Sequence, residues 1–358
     1  MLPILNLLLP LLLTAVLVDF LRPAAIKVGL VDFPGGRKRH IGPVPLVGGI
    51  AISFAFCLCA LLFLAIVSPY KPLILGMAVL LTVGVMDDLH ELAPRNKLLH
   101  QLIAVILMTS WGGLYLRNLG DLFGLGPVPL FDWGIPLTVF AAISVINAYN
   151  MSDGIDGLAG GWGVVGFAAM TYLAGVVGAE SVARLNLILV GCLAGFLLFN
   201  LRHPWRRQAV VFLGDAGSMT IGFAVVWFAI ELTQRPSPLS GEVVPPVVML
   251  WVLGLPLIDM FAVTVRRISR RRNPLLPDRT HLHHVLQRVG LSDHRVVFLL
   301  VSSNLVLAFV GIAAWRLGAS ESALMGGFCL LTFGYLYAAR HAWRLCRWLR
   351  SSALRRVG

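Results

Sequence analysis

Apolar runs close to the length of a bilayer crossing recur along this whole chain, and nothing constrains its fold more. A helical crossing takes about 20 mostly apolar residues. Runs near that length cover 2–21, 46–67, 72–86, 98–116, 136–149, 160–178, 185–200, 210–231, 245–265, 296–315 and 322–339. With 58% hydrophobic and 13% charged residues, the chain has more apolar surface than a water-soluble domain keeps covered. It therefore reads as an all-α polytopic membrane protein of about eleven transmembrane helices, one integral-membrane domain over 1–358. The first run has no basic segment before it and leads into further spans, so it reads as a retained helix rather than a cleaved signal.

The formal net charge of +12 raises the question of nucleic acid, but its distribution answers otherwise. Of the 29 Lys and Arg residues, 24 fall in alternate connections and in the tail from 340. Only Lys71, Arg117, Arg184, Arg235 and Arg316 lie on the other side. The positive-inside rule makes the rich side cytoplasmic, with the N-terminus outside and the C-terminus inside. The basic residues track topology, so no nucleic-acid partner is expected. Of the five cysteines, Cys57, Cys59, Cys192 and Cys329 lie in apolar runs and Cys346 in the tail. Cys57 and Cys59, two apart, read as small buried hydrophobes, not metal ligands, since no second pair completes a site.

Most of the carboxylates cluster at the inner ends of the runs, where acids are costly unless they do something. Gly84-Val85-Met86-Asp87-Asp88 ends a run in two adjacent acids, which repel unless one is protonated or a cation holds both. Asn147 to Gly161 contains Asn150, Asp153 and Asp156, which share a face if the segment is helical, with Gly154 and Gly157 allowing close backbone approach. No Lys or Arg lies within it. Phe212-Leu213-Gly214-Asp215-Ala216-Gly217-Ser218 opens an apolar helix with an acid that has no basic neighbour in the motif. Asp215 reads either as an N-cap or as part of a phosphate site at a helix N-terminus.

Pro256-Leu257-Ile258-Asp259 lies inside a run and is followed by Arg266 and Arg267. The inner connection 266–295 then carries Pro277-Asp278-Arg279-Thr280-His281-Leu282-His283-His284. Phosphate and sugar contacts are the better reading of these histidines, with structural zinc as the competitor. The Arg270–Arg272 run is sufficiently explained as an anchor to anionic lipid. Acids for a hard cation, donors for a pyrophosphate and a lipid-facing location together point to metal-assisted phosphoryl chemistry at the inner leaflet.

These motifs, in this order, resemble the polyprenyl-phosphate N-acetylhexosamine-1-phosphate transferase family over nearly the whole chain, including Val31-Asp32 and Pro45-Leu46-Val47-Gly48-Gly49. The resemblance implies attack of a polyprenyl (undecaprenyl) phosphate on the β-phosphate of a UDP-N-acetylhexosamine, releasing UMP, with Mg²⁺ (Mn²⁺ as the alternative) as cofactor. It implies that Asp87 and Asp88 act on the lipid phosphate, that Asn150 and Asp215 are metal ligands with catalytic Asp153 beside them, and that Asp156 and Phe212 contact uracil. Arg267, Arg279, His281, His283 and His284 match the loop that binds pyrophosphate and sugar, and Lys38 and His40 an early part of the nucleotide pocket. Leu89-His90-Glu91-Leu92 after the acid pair and the His-Leu-His-His order resemble the WecA/TagO-like branch, which uses UDP-GlcNAc or related sugars to start surface polysaccharides. The setting implied is a bacterial inner membrane, with membrane lipid as a partner; a homodimer is the assembly considered. A UDP-MurNAc-pentapeptide transferase and a transporter or flippase are the rivals, though transporters place acids at mid-membrane rather than at helix ends.

Overall fold

The computed structural model describes residues 2–33, 42–64, 67–202, 208–271 and 281–354, with side chains described from residue 3 to residue 341. Helix α1 is Leu2–Val28. The two-residue strands β1 (Val31–Asp32) and β2 (Val44–Pro45) pair antiparallel and lead to α2 (Gly48–Phe63). The other long helices are α3 (Lys71–His90), α4 (Pro94–Ile106), α5 (Gly134–Ser152), α6 (Leu158–Val177), α7 (Glu180–Asn200) and α8 (Gly214–Gln234). Then come α9 (Pro246–Val252), α10 (Gly254–Ser269), α11 (Leu282–Val289), α12 (Asp293–Arg316) and α13 (Glu321–Leu354). Among the described residues, eight helices are long and apolar enough to cross a membrane, nine if α9 and α10 form one broken span. The count of eleven rests further on α2, only 16 residues long, and on α4 with its π turn Leu107–Trp111.

Helices α2, α3, α5 and α6 pack around α8, whose spanning window is wholly buried. Small residues let backbones touch there, as lipid-embedded helices require. A Cβ on Gly84 of α3 would collide with the backbone of Ala216, and one on Gly49 of α2 with that of Gly217. Gly84→Val is accordingly expected to cost about 3 kcal/mol through overpacking against backbone that cannot yield. The melting midpoint of the detergent-solubilised protein measures it.

The run 245–265 is not one straight span. It breaks between α9 and α10 with an 83° bend. Pro256 has no N–H to give the Val252 carbonyl, the bond a continuous helix would need. Asn304 of α12 repairs the gap: its Oδ1 accepts the Leu255 N–H at 3.0 Å and its Nδ2 donates to Val252 O at 3.2 Å. Backbone groups freed inside a membrane must find such partners.

Candidate active site at one end of the helix bundle

Lys97, Arg202 and Arg267 lie at one end of the bundle, Arg117 and Arg235 at the other, and the acids gather at the first. Asp87 and Asp88 sit in the last turn of α3, Asp215 in the first turn of α8 and Asn150 in the last turn of α5. Lys97 joins them from α4, its Nζ 2.5 Å from Asp87 Oδ2 and 2.6 Å from Asp215 Oδ2. Asn150 Nδ2 donates to Asp215 Oδ1 at 3.0 Å and to Ser218 Oγ at 3.0 Å. Burial disfavours the Lys97 ammonium, but Asp215 and Asp87 outweigh it and hold its pKa above the ordinary lysine value.

The adjacent acids have different tasks. Asp87 Oδ1 accepts the Leu92 N–H at 2.7 Å, fixing the turn after α3. Asp88 instead caps α8, accepting the N–H of Asp215 at 2.9 Å and of Ala216 at 3.4 Å. The N-cap reading of Asp215 is thus corrected: the cap comes from Asp88, and no side chain at the N-cap position Leu213 supplies it. A neighbouring carboxylate satisfies the free N–H groups of the first turn, which leaves the Asp215 carboxylate facing Lys97 and Asn150. Asp215 has no basic neighbour within its own motif, but Lys97, 118 residues away in sequence, supplies one in space.

Asn150, Asp153 and Asp156 do not share a helix face. Helix α5 stops at Ser152, and Gly157 with φ +87 closes a turn that L side chains enter reluctantly. The Gly157 N–H is held by Asn200 Oδ1 at 2.6 Å, while Asn200 Nδ2 donates to Val211 O at 2.9 Å, so the glycine-rich turn is tied to the segment before α8. Burial and the nearby Asp215, Asp88 and Asp156 hold the Asp153 carboxyl well above the usual carboxylate range, with the Gly214 N–H opposing them. Asp156 pairs with Arg202 Nε at 2.6 Å, and Arg202 also holds Asp293 at 2.8 Å. Phe212 is fixed through its backbone, its N–H donating to Pro45 O and its carbonyl accepting from Gly48. This docks the segment 45–49 on the opening of α8.

Among the histidines, His281 lines the same cleft as Asp87, Lys97 and Asn150. His283 is 2% exposed and packs against Gly154, where an added Cβ would lie 3.2 Å from its Nε2. His284 Nδ1 meets Gln287 Oε1 at 3.3 Å, and Gln287 Nε2 donates to Asp293, so His284 joins the Arg202 network rather than the acid cluster. Arg267 is buried near the end of α10. Lys38, His40 and Arg279 lie outside the described residues. No three His, Cys, Asp or Glu side chains among the described residues converge to hold a metal ion.

Burial, with His284 and His281 adding to it, pushes the His283 pKa down to about 3 from 6.5. The unfolded chain takes up a proton below the ordinary value that the folded chain refuses until near the lowered one. Stability is therefore lost as pH falls through that window. Between about pH 7 and 5 the loss reaches up to ~2 kcal/mol at ~1.4 kcal/mol per unit. His283→Gln should flatten this acid limb in a melting series.

The cleft holds about 1540 Å³. It starts at the acid–lysine cluster and runs between α5, α10 and α13, where Phe140, Phe261, Phe328 and Phe333 line it, to Leu119 and Leu122 of the connection before α5. Its walls are almost wholly apolar beyond the cluster.

Residues 70–233 match the profile of glycosyl transferase family 4. Over 343 residues the chain is 37% identical to an undecaprenyl-phosphate alpha-N-acetylglucosaminyl 1-phosphate transferase of Escherichia coli strain K12, spanning 94% of this chain and 91% of that protein. Proteins of the same description are 36% identical in Yersinia pestis (92% of this chain, 89% of that one) and 39% identical in Haemophilus influenzae (92% of each).

Proposed function

Because this chain belongs to glycosyl transferase family 4, we propose that its acid cluster and cleft carry out the transfer for which those relatives are named. It moves N-acetylglucosamine-1-phosphate from UDP-N-acetylglucosamine to undecaprenyl phosphate and releases UMP, the first step of a surface polysaccharide. The reaction belongs at the cytoplasmic face of a bacterial inner membrane, with the N-terminus outside. One observation carries this reading: the cleft joins Asp87, Lys97, Asn150 and His281 at one end to a continuous apolar wall at the other. An acceptor with a phosphate head and a long isoprenoid tail has that same polarity.

In the transfer, an oxygen of the lipid phosphate forms a bond to the β-phosphorus of the donor. The bond from that phosphorus to the oxygen bridging the α-phosphate breaks, and UMP leaves with its electron pair. A phosphate monoester is mostly ionised at neutral pH, its second pKa near about 6, so no base is required. Asp87 positions rather than deprotonates. Lys97 offsets charge where the two phosphates meet, and His281 offers a ring nitrogen to the same oxygens. The oxygen donors Asp215 and Asn150 suit Mg²⁺ or Mn²⁺, and Lys97 lying between two carboxylates marks a place built for positive charge. Bound there, the ion would neutralise the diphosphate.

Two measurements test this. Chelation with EDTA should reduce turnover at least about 100-fold, with Mg²⁺ restoring it. Offered UDP-GlcNAc, UDP-GalNAc and UDP-MurNAc-pentapeptide with one lipid acceptor, the purified protein should show its highest kcat/KM with UDP-GlcNAc. A preference for the pentapeptide donor would refute the assignment.

A further inference from the structure

Asp259 has no part in the transfer as described, yet it is the best-connected carboxylate near the cleft. It lies in α10, three residues past Pro256, and is 5% exposed. Its Oδ2 is 2.9 Å from Nδ1 of His281. Its Oδ1 accepts the Leu282 N–H at 3.0 Å and the hydroxyl of Tyr335, from α13, at 2.6 Å. His281 itself is 4% exposed, and its Nε2 has no hydrogen-bond partner among the described residues. A buried ring nitrogen left unpartnered is costly unless something completes it, and this ring faces the cleft that Asp87, Lys97 and Asn150 also line.

We infer that Tyr335 and Asp259 are positioning residues of the transfer: they fix the His281 ring so that Nε2 meets the phosphoryl oxygens at the inner mouth of the cleft. A carboxylate bonded to one ring nitrogen sets the tautomer and direction of the other. The Leu282 N–H and the Tyr335 hydroxyl hold that carboxylate in turn, so the ring has little freedom left. Tyr335 also connects the two halves of the site, because α13 lines the cleft with Phe328, Thr332 and Phe333. The helix that walls the acceptor's tail thereby anchors the histidine that meets its head. The inference rests on the transferase reading above.

The test uses the full-length protein in lipid nanodiscs. Tyr335→Phe removes only a hydroxyl and keeps the ring. Its kcat is expected to fall about tenfold, with KM for both substrates within about twofold, as for a group that acts on the transition state. Asp259→Asn is expected to lose about 100-fold, because an amide turned toward Nδ1 favours the wrong tautomer. In a His281→Ala background, Tyr335→Phe should cause no further loss, since partners in one network are not additive. Wild-type kcat in Tyr335→Phe, or the same fractional loss with His281 absent, overturns the inference alone. A wild-type protein that releases no UMP overturns it together with the transferase reading.

Discussion

Asp215→Asn should lower UMP release at least about 10³-fold, the scale of losing a charged group that acts on a developing phosphoryl charge. The substitution keeps the shape of the side chain and an oxygen facing Asn150, but it removes the negative charge that holds Lys97 and that the proposed divalent cation would share. Helix α8 should survive, because its first turn is capped by Asp88 and not by Asp215. Expression and melting midpoint should therefore stay near wild type while turnover disappears. Near-normal turnover would remove Asp215 from the metal site. A collapse in melting midpoint would show that its role in holding α8 to α4 outweighs its role in chemistry.

Lys97→Met comes next in size, with an expected loss of about 100-fold or more in kcat/KM. Asp87 Oδ2 and Asp215 Oδ2 both lie within 2.6 Å of one ammonium nitrogen. Without it, two carboxylates face each other in a partly buried setting, and like charges at that range repel strongly. Lys97→Arg should recover only part of the loss, since a planar fork does not replace a compact point charge between two oxygens. The kcat/KM of both variants, from initial rates over a range of UDP-GlcNAc and undecaprenyl phosphate concentrations, decides it. Wild-type activity in Lys97→Met would reduce the lysine to a topological charge.

The motifs proposed to carry the chemistry were legible in the sequence because each is local. Asp87-Asp88, Asn150 to Gly157 and Phe212 to Ser218 all announce acids and glycines at the ends of apolar runs. Their partners were not legible in the same way. Lys97 meets Asp215 across 118 residues, Arg202 meets Asp156 across 46 and Tyr335 meets Asp259 across 76, so no spacing rule applies. One signal was available for Lys97. It stands four residues before Gln101 in α4, and polar residues at that interval share a helix face. Gln101 is 2% exposed and accepts from Asn147 at 3.0 Å, so that face turns inward.

The helices themselves follow the apolar runs, since each run must satisfy its own backbone in lipid. The departures have local causes. Pro256 breaks one run, and the repair by Asn304 lies in another helix. Gly154 and Gly157 end the helical pattern that the spacing of Asn150, Asp153 and Asp156 suggested. Asp88 illustrates a further limit: in sequence it is half of an acidic pair, and only the approach of α3 to α8, permitted by Gly84, makes it a helix cap.

The most direct test is release of UMP by the purified protein from UDP-N-acetylglucosamine, with and without undecaprenyl phosphate. Release that needs the lipid, matched mole for mole by lipid-linked N-acetylglucosamine pyrophosphate, is the expected result. UMP formed at the same rate without lipid, or none formed with it, would contradict the transfer and leave the acid cluster beneath the cleft with some other task.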